Sequence, residues 1–397
     1  MSKKQQMRVL MVEHCGKSGM YAYADSLCKG LSEAGADVTV LTSSAWPDKS
    51  KPYRVERVFS EFTREQGKDL QLHWAADRIC RSSLNSFRRN RFAVEGDFDV
   101  VHIQGAGMPL LDQFFLKPLA KKLPMVLTVH DVKSHYDRFV SRDSFFWRSL
   151  KIPHCLIVHY ENGKRQLVDH WGLSDDRITV VPHGIMKPLH EPPDKTLARK
   201  KLNLPSDRRI LLFFGSIRPN KGLDILLKAL GDVCNYEPGI LLVIAGALLR
   251  GMSFEPYSEI IRMLKLSEHV RTVIEFIPDE DVDCYMSASD LVVLPYSEFE
   301  AQSGVLLRAY AHKKPVVVSN VGAMGELVST DKVGLAVRPG VPEALAGAVI
   351  NVLDNLDNFQ SHYTAEIENK YSWKNIAELT MRSYEKAIAI KGQSHSS

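Results

Sequence analysis

The chain of 397 residues has few cysteines, no long apolar run and no dense stripe of basic residues. Its six cysteines are scattered and form no C-x-x-C pair, which argues against a zinc or disulfide framework and favours reduced thiols. No apolar stretch approaches the length of a membrane span, and residues 1–10 are polar and basic without a signal-peptide core. We therefore expect a cytoplasmic protein.

Charge is unevenly divided along the chain. Residues 1–184 carry 27 Lys and Arg against 21 Asp and Glu, a balance of +6, whereas the remaining residues have a balance of −2. Nucleic-acid binding calls for a denser basic stripe with interleaved aromatics, so we expect no nucleic-acid partner. A moderately basic first half is better suited to an anionic surface.

Two successive series of strand and helix patterns indicate two α/β domains. The first series starts with an apolar run at residues 8–12 and the second with one at residues 210–214, separated by a proline-rich, charged linker. At this length a single core is also unexpected. We predict the following division of the chain: domains at residues 1–186 and 187–371, a helix at 372–390 and a disordered tail at 391–397. Within the first domain, residues 45–95 resist assignment apart from a helix over residues 71–92.

The stretch from residue 294 to residue 318 is the one around which the chain is organised. An apolar strand ends at Leu294, a polar loop carries Glu298 and Glu300, and a helix is predicted to begin near Ser303. The free N–H groups of a helix start bind anions, but a carboxylate beside them would repel phosphate and suits hydroxyl groups instead. Glu300 next to a phosphate cradle therefore indicates a nucleotide sugar, although an ordinary capped helix would give the same local pattern.

Three further motifs follow predicted strands. A glycine turn at residues 13–20 matches neither G-x-G-x-x-G nor a P-loop, which disfavours dinucleotide and ATP folds. His130 stands at the carboxyl end of a strand, where open α/β sheets bind ligands. The turn at residues 215–222 carries Arg218 and Lys221, two cations that suit a diphosphate.

Together with a Pro-His-Gly sequence at residues 182–184, these motifs resemble, in order and spacing, the retaining glycosyltransferases of the GT-B fold, family 4. The resemblance extends from residue 8 to about residue 384. It implies two Rossmann-like, doubly wound domains that face each other across a cleft. The nucleotide sugar would be held mainly by the second domain, and the final helix would cross back to the first.

The resemblance also implies roles for individual residues. Arg218 and Lys221 match the pair that grips the donor diphosphate, and His130 matches a histidine near the reacting sugar. Glu300 matches the glutamate that contacts the donor sugar. The remaining expected donor-binding residues lie at two helix starts: Ser18, Gly19, Ser303, Gly304 and Val305.

One position departs from the family pattern. The family's second glutamate, which usually holds the ribose hydroxyls, would fall at position 308, and Arg308 stands there. The resemblance therefore assigns no residue to the ribose.

Two Asp-x-Asp strings imitate the metal site of another class of glycosyltransferase. Asp281 and Asp283 lie in a predicted helix, whereas Asp97 and Asp99 lead into a strand, and neither pair lies at a glycine turn beside a phosphate site. We expect no catalytic metal and no cofactor, because cationic side chains and a helix dipole can stabilise the leaving group.

The predicted function is a metal-independent, retaining transferase that uses a nucleotide-sugar donor in polysaccharide or glycolipid biosynthesis. Its acceptor would be a glycan or a lipid-linked glycan. A nucleotide-sugar epimerase of the same fold and a non-catalytic binding protein remain alternatives.

We further expect peripheral contact with an anionic membrane, at its inner face, through basic residues with aromatic neighbours. Two patches carry this prediction: Arg81, Arg88, Arg89 and Arg91 near Trp74, Leu84 and Phe87, and Arg148 and Lys151 near Phe145, Phe146 and Trp147.

Overall fold

The computed structural model describes residues 6–61, 71–105, 109–132, 145–186, 188, 191–299 and 302–393. The chain forms two compact units, the first comprising Met1–Gly184 and Lys370–Ser397 and the second comprising Ile185–Asn369. These limits lie within two residues of the domain limits expected from the sequence. None of the helices in the described ranges is both long and apolar enough to cross a membrane.

The first unit is built on a parallel sheet of seven strands. In chain order these are β1 Arg8–Val12, β2 Asp37–Ser43, β3 Arg54–Phe59, β4 Val100–Gln104, β5 Met125–Thr128, β6 Cys155–Val158 and β7 Ile178–Val180. Their order in the sheet is β3-β2-β1-β4-β5-β6-β7. The central strands are almost wholly apolar because helices cover both faces of a parallel sheet. The edge strand β3 lies within residues 45–95, which the sequence left largely unassigned. Its charged residues interrupt the apolar run that would have predicted a strand.

Within the described part of the first unit, five helices before the final one connect or flank these strands. They are α1 Ser18–Glu33, α2 Gln71–Glu95, α3 Pro109–Lys122, α4 Phe145–Leu150 and α5 Glu161–Arg165. The helix expected over residues 71–92 is therefore present and extends to Glu95.

The second unit repeats the arrangement with six parallel strands. They are β8 Ile210–Phe214, β9 Leu241–Ala245, β10 Val270–Val273, β11 Leu291–Leu294, β12 Val316–Ser319 and β13 Gly334–Val337. Their order in the sheet is β10-β9-β8-β11-β12-β13, so the direction of winding reverses between β8 and β11. Ligands bind at such a reversal, at the carboxyl ends of the strands.

The helices of the second unit alternate with its strands. They are α6 Lys195–Lys201, α7 Leu223–Tyr236, α8 Glu255–Met263, α9 Asp279–Ala288, α10 Gly304–Ala311, α11 Met324–Asp331, α12 Pro342–Asp354, α13 Leu356–Ser361 and α14 Ala365–Lys370.

The last helix, α15 Trp373–Gln393, returns to the first unit and packs against α1. Gly30 on α1 permits the close approach, because a Cβ atom there would lie only 2.6 Å from the carbonyl oxygen of Trp373. Ile376 and Ala377 enter the same core as α1. The predicted return of the final helix is thus confirmed.

The prediction of a disordered tail from residue 391 is wrong for its first three residues. Helix α15 continues to Gln393, and the buried Lys391 donates its Nζ to the carbonyl oxygen of Lys121, 2.8 Å away. That carbonyl lies in the last turn of α3, where it has no partner within its own helix. Residues 394–397 lie outside the described residues.

Candidate active site

The turn after β8 requires glycine at both of its ends. Gly215 has φ +100° and Gly222 has φ +67°, in the left-handed region that other residues avoid. A Cβ atom on Gly222 would lie 1.9 Å from the carbonyl oxygen of Pro295, and Ser297 donates its backbone N–H to Asn220 at 3.0 Å. The turn is therefore pressed against the loop that follows β11.

Arg218 and Lys221 lie on this turn without a carboxylate partner among the described residues. The Arg218 Nε is buried and has no hydrogen-bond partner in the described part of the chain. Lys221 is buried, with its Nζ 3.5 Å from the ring centroid of Tyr296 and 4.4 Å from that of Phe299. Burial, and then the charge of Arg218, lower the pKa of Lys221 to about 7. Two neighbouring cations that lack a counter-charge are suited to a polyanionic ligand.

Helix α10 begins beside the same turn. Its N-cap is Ser303, whose Oγ accepts a hydrogen bond from the N–H of Leu306 at 3.4 Å. Gly304 follows, and a Cβ atom built on it would meet no atom of another described residue within 4 Å. Val305 is close enough that a Cβ atom on Gly215 would lie 3.3 Å from its Cγ2. The structure thus brings Arg218, Lys221 and the start of α10 together at the reversal between β8 and β11.

The side-chain amide of Gln302, just before this helix, has both polar atoms buried without a partner among the described residues. Such groups are costly unless they are hydrogen-bonded, so this amide is available for a ligand. Glu300 lies outside the described residues. Glu298 has an exposed side chain, and its carbonyl oxygen accepts Asn220 Nδ2 at 3.2 Å.

Arg308 is directed toward α9. Its guanidinium lies 3.7 Å from carboxylate oxygens of both Asp279 and Asp283. Asp283 also accepts His312 Nε2 at 2.9 Å, whereas Asp281 pairs with Lys201 at 3.1 Å. Arg308 therefore ties α10 to α9, and the first Asp-x-Asp string is engaged in ion pairs.

The second Asp-x-Asp string is also engaged. Arg8 forms ion pairs with both Asp97 and Asp99, the latter at 3.0 Å. The described residues contain no group of three or more His, Cys, Asp or Glu side chains arranged to hold a metal ion.

In the first unit, a buried glutamate shapes the glycine turn after β1. The carboxylate of Glu13 accepts the backbone N–H groups of Cys15 and Gly16. Gly16 has φ +67°, and a Cβ atom there would lie 2.6 Å from the backbone nitrogen of Trp46. Helix α1 then begins at Ser18, and a Cβ atom built on Gly19 would meet no atom of another described residue within 4 Å. Both predicted residues thus lie at the start of α1.

His130 follows β5 and belongs to a chain of hydrogen bonds at the same sheet edge. Its Nδ1 lies 3.0 Å from His159 Nε2, and its Nε2 lies 3.1 Å from Gln104 Oε1. His159 Nδ1 in turn lies 3.0 Å from the carbonyl oxygen of Val181. Burial, followed by the nearby His159, His183 and His102, holds the pKa of His130 well below its usual value.

The direction of this chain can be deduced from its end. A carbonyl only accepts, so His159 Nδ1 carries a hydrogen, and in a neutral ring its Nε2 accepts one from His130 Nδ1. A neutral His130 then offers Nε2 as an acceptor, which requires the amide nitrogen of Gln104 to occupy the position facing it. His130 is therefore held in one orientation and without charge at neutral pH, which favours a positioning role over a cationic one.

Several residues of the two regions lie in or near the sequence motifs but were not predicted as site residues. They are Glu13, Gln104, His159, His183, Asn220, Tyr296, Phe299 and Gln302. Gln104 is the last residue of β4, and His159 and His183 follow β6 and β7, so the rule that placed His130 could have found them. No local pattern marks Tyr296 as the partner of Lys221.

Two family models match the chain. The family described as "Glycosyltransferase Family 4" matches residues 17–186, and the one described as "Glycosyl transferases group 1" matches residues 194–372. The D-inositol 3-phosphate glycosyltransferase of Acidothermus cellulolyticus is 28% identical over 96% of this chain and 88% of its own length. The protein of the same name from Corynebacterium aurimucosum is 25% identical over 94% and 92% of the two chains.

Solved structures show a similar fold. Sucrose-phosphate synthase from Thermosynechococcus elongatus has a TM-score of 0.72 at 21% identity, covering 97% of this chain and 100% of that one. HepE of Anabaena, in complex with UDP, has a TM-score of 0.72 at 18% identity, covering 96% and 100%. At these identities the likeness shows the fold alone, and it confirms the predicted pair of Rossmann-like domains of the GT-B fold.

Proposed function

Because the chain belongs to the group 1, family 4 glycosyltransferases, we propose that it is a retaining, metal-independent enzyme that uses a nucleotide-sugar donor. The observation that carries this proposal is the pair Arg218 and Lys221. Both cations are largely buried, neither has a carboxylate partner among the described residues, and the start of α10 lies beside them. A diphosphate would supply the missing negative charge and accept hydrogen bonds from the N–H groups at the start of α10.

The reaction breaks the bond between the anomeric carbon and the β-phosphate oxygen. The acceptor hydroxyl forms the new bond on the same face of the sugar, and its proton passes to the leaving phosphate oxygen. Arg218, Lys221 and the N–H groups near Gly304 stabilise the charge that develops on the diphosphate. Glu300 would orient the sugar hydroxyls, and His130 would position the reacting ring as a neutral hydrogen-bonding group.

Metal independence is supported by the state of both Asp-x-Asp strings. Asp281 and Asp283 pair with Lys201 and His312, and the other string pairs with Arg8. The carboxylates of these strings are thus already used within the fold.

Measuring donor depletion with and without a membrane extract tests the proposed activity against its two alternatives. A transferase consumes the donor only when acceptor is present, whereas an epimerase changes the donor alone. A binding protein does neither. Inositol phosphate is included as a separate acceptor because the relatives named above carry it in their names.

We further infer that the acceptor is a glycan or lipid-linked glycan and that the first unit contacts a membrane. Several of the residues predicted to contact the membrane are engaged within the first unit itself. Arg81 bonds Asp77, Arg88 bonds the carbonyl oxygen of Val58, and Arg89 is buried. These arginines pack on their own domain, and Trp147 is likewise buried, stacked on Trp171.

The side of α2 that faces solvent carries apolar side chains instead. Leu84, Phe87 and Val94 are 43%, 56% and 51% exposed, at helical spacing, with the exposed Arg91 among them. Such a face can lie in a headgroup layer at the inner side of the cytoplasmic membrane. Co-sedimentation with anionic vesicles should fall in Leu84→Ser/Phe87→Ser protein, and equal co-sedimentation of this variant and the parent would reject the contact.

A further inference from the structure

A basic cavity lies at the edge of the first sheet where β5 and β6 begin. It has a volume of about 920 Å³ and is lined mainly by α3, by α4 and by the loop that leads into β6. That loop precedes β6, and His154 within it donates its backbone N–H to the carbonyl oxygen of Met125, the first residue of β5. His130, in contrast, follows the other end of β5. The cavity therefore lies at the opposite edge of the sheet from His130.

The described residues that line this cavity carry a single sign of charge. Lys117, Lys121, Arg148 and Lys151 line it with exposed side chains, and no Asp or Glu is among the described lining residues. None of the four forms an ion pair or a side-chain hydrogen bond with another described residue. Like charges around one cavity repel each other, and an anion within it would relieve that repulsion.

His154 adds an oriented hydrogen-bond donor. Its Nδ1 accepts the backbone N–H of Met125 at 3.1 Å, so the hydrogen of the neutral ring is on Nε2. Burial, and then the charges of Lys391 and Arg177, lower the pKa of His154 to about 4, which keeps the ring neutral at physiological pH. Among the described residues no acceptor contacts this Nε2, and the ring lines the cavity.

Hydrogen bonds from Arg177 fix the loop that carries these groups. Arg177 donates to the carbonyl oxygens of Lys151 and His154, and also to that of Pro153. The end of α3, which also lines the cavity, is held by the hydrogen bond from Lys391 Nζ to the carbonyl oxygen of Lys121. The cations are thus presented on anchored segments, which reduces the entropy lost when a ligand binds.

We propose that this cavity is a second binding site, for a phosphate-bearing anion. The lysines and Arg148 would contact the phosphate oxygens, and His154 Nε2 would donate a neutral hydrogen bond. The volume is within the range of small-molecule sites. A free phosphorylated metabolite and a phospholipid headgroup both carry this chemistry.

The test uses the full-length protein carrying Arg218→Ala/Lys221→Ala, so that the predicted diphosphate site does not contribute. The free-phosphate arm is calorimetric titration with sn-glycerol 3-phosphate. The lipid arm is flotation with vesicles of phosphatidylglycerol and phosphatidylcholine, with phosphatidylcholine alone as the neutral comparison. Both arms measure binding and not transfer, so they are informative even if the proposed reaction is wrong.

Each arm compares two triple variants with the same change of charge. Lys117→Gln/Arg148→Gln/Lys151→Gln alters the cavity, whereas Lys122→Gln/Lys374→Gln/Arg382→Gln alters exposed positions of α3 and α15 that do not line it. All six side chains are outside the core, so both variants should fold, which circular dichroism checks.

We expect the cavity variant to bind at least about tenfold more weakly and the control variant to stay within about twofold of the parent. Binding of the free phosphate would identify a soluble ligand, and binding of anionic vesicles alone would identify a headgroup. Absence of binding in both arms, or equal weakening by the two triple variants, would overturn the proposal.

Discussion

The ammonium group of Lys221 lies 3.5 Å from the centroid of the Tyr296 ring. The ring faces favour the charged form of the lysine, whereas burial and Arg218 disfavour it and lower its pKa to about 7. The hydroxyl of Tyr296 is 3.3 Å from Ser303 Oγ at the start of α10. One aromatic side chain therefore connects the turn that is proposed to bind the diphosphate to the helix that would face the same phosphates.

Removal of either cation should impair transfer. Arg218→Ala or Lys221→Ala deletes a contact that strengthens as charge develops on the leaving diphosphate. We expect each change to cost about 2–4 kcal/mol of transition-state stabilisation in kcat/KM. Steady-state kinetics measure this loss, with Lys228→Ala on the exposed side of α7 as the control. Near-normal turnover in both variants, with the fold intact, would show that the turn does not hold the diphosphate.

Donor binding should take up a proton above pH 7. The pKa of Lys221 is lowered to about 7 in the free protein, so much of this lysine is neutral at pH 8. A bound diphosphate favours the ammonium form and raises that pKa, so the donor affinity should fall as pH rises above about 7. Titration calorimetry of the nucleotide sugar at pH 8, in buffers of different ionisation enthalpy, measures the uptake.

Lys221→Arg is the matched control for this prediction, because arginine stays charged throughout this pH range. Its donor affinity should lose the pH dependence and its binding should take up no proton. Equal proton uptake by the parent and by Lys221→Arg would assign the titration to another group.

The alternating pattern of the chain predicted most of the fold. Central strands such as β8 and β11 are buried on both faces and appear as continuous apolar runs, and α10 begins where its Ser303 cap predicted. The edge strand β3 was missed because its residues are partly charged and exposed. The helical residues 391–393 were missed because the bond from Lys391 to Lys121 joins residues distant in sequence.

The candidate site was predictable where a turn or a helix start marks it. Arg218, Lys221 and Gly304 were predicted in this way, and they lie near one another in the structure. The aromatic ring under Lys221 and the link from His130 to His159 depend on how strands are ordered in space. A local sequence pattern contains no information on that order.

The two glutamates of the loop before α10 should differ in importance. Glu300→Gln removes the carboxylate expected to accept sugar hydroxyls, so turnover should fall about 10–100-fold while binding of the nucleoside diphosphate is largely kept. Glu298→Gln should change turnover little. The side chain of Glu298 is exposed, and the contact of this residue with Asn220 is made by its backbone carbonyl oxygen. Kinetics and thermal shift measure the two effects, and the reverse ranking would place the motif two residues earlier.

Transfer should not require a metal ion. We expect full activity in EDTA, and we expect Asp281→Asn to be active because it loses only an exposed ion pair with Lys201. Asp283→Asn should instead lower the free energy of unfolding by about 1–3 kcal/mol, because it removes the charge of a buried carboxylate that lies beside His312 and Arg308. Loss of activity on chelation that Mn²⁺ or Mg²⁺ restores would contradict metal independence.

The stereochemistry of the first product tests the central claim most directly. The donor found by thermal-shift screening of nucleotide sugars is incubated with enzyme and acceptor, and the anomeric proton is followed by NMR from the first turnover. The account predicts that the transferred sugar keeps the anomeric configuration of the donor and that Arg218→Ala/Lys221→Ala protein forms almost none of this product. A product of inverted configuration, or an epimerised donor formed without acceptor, would contradict it.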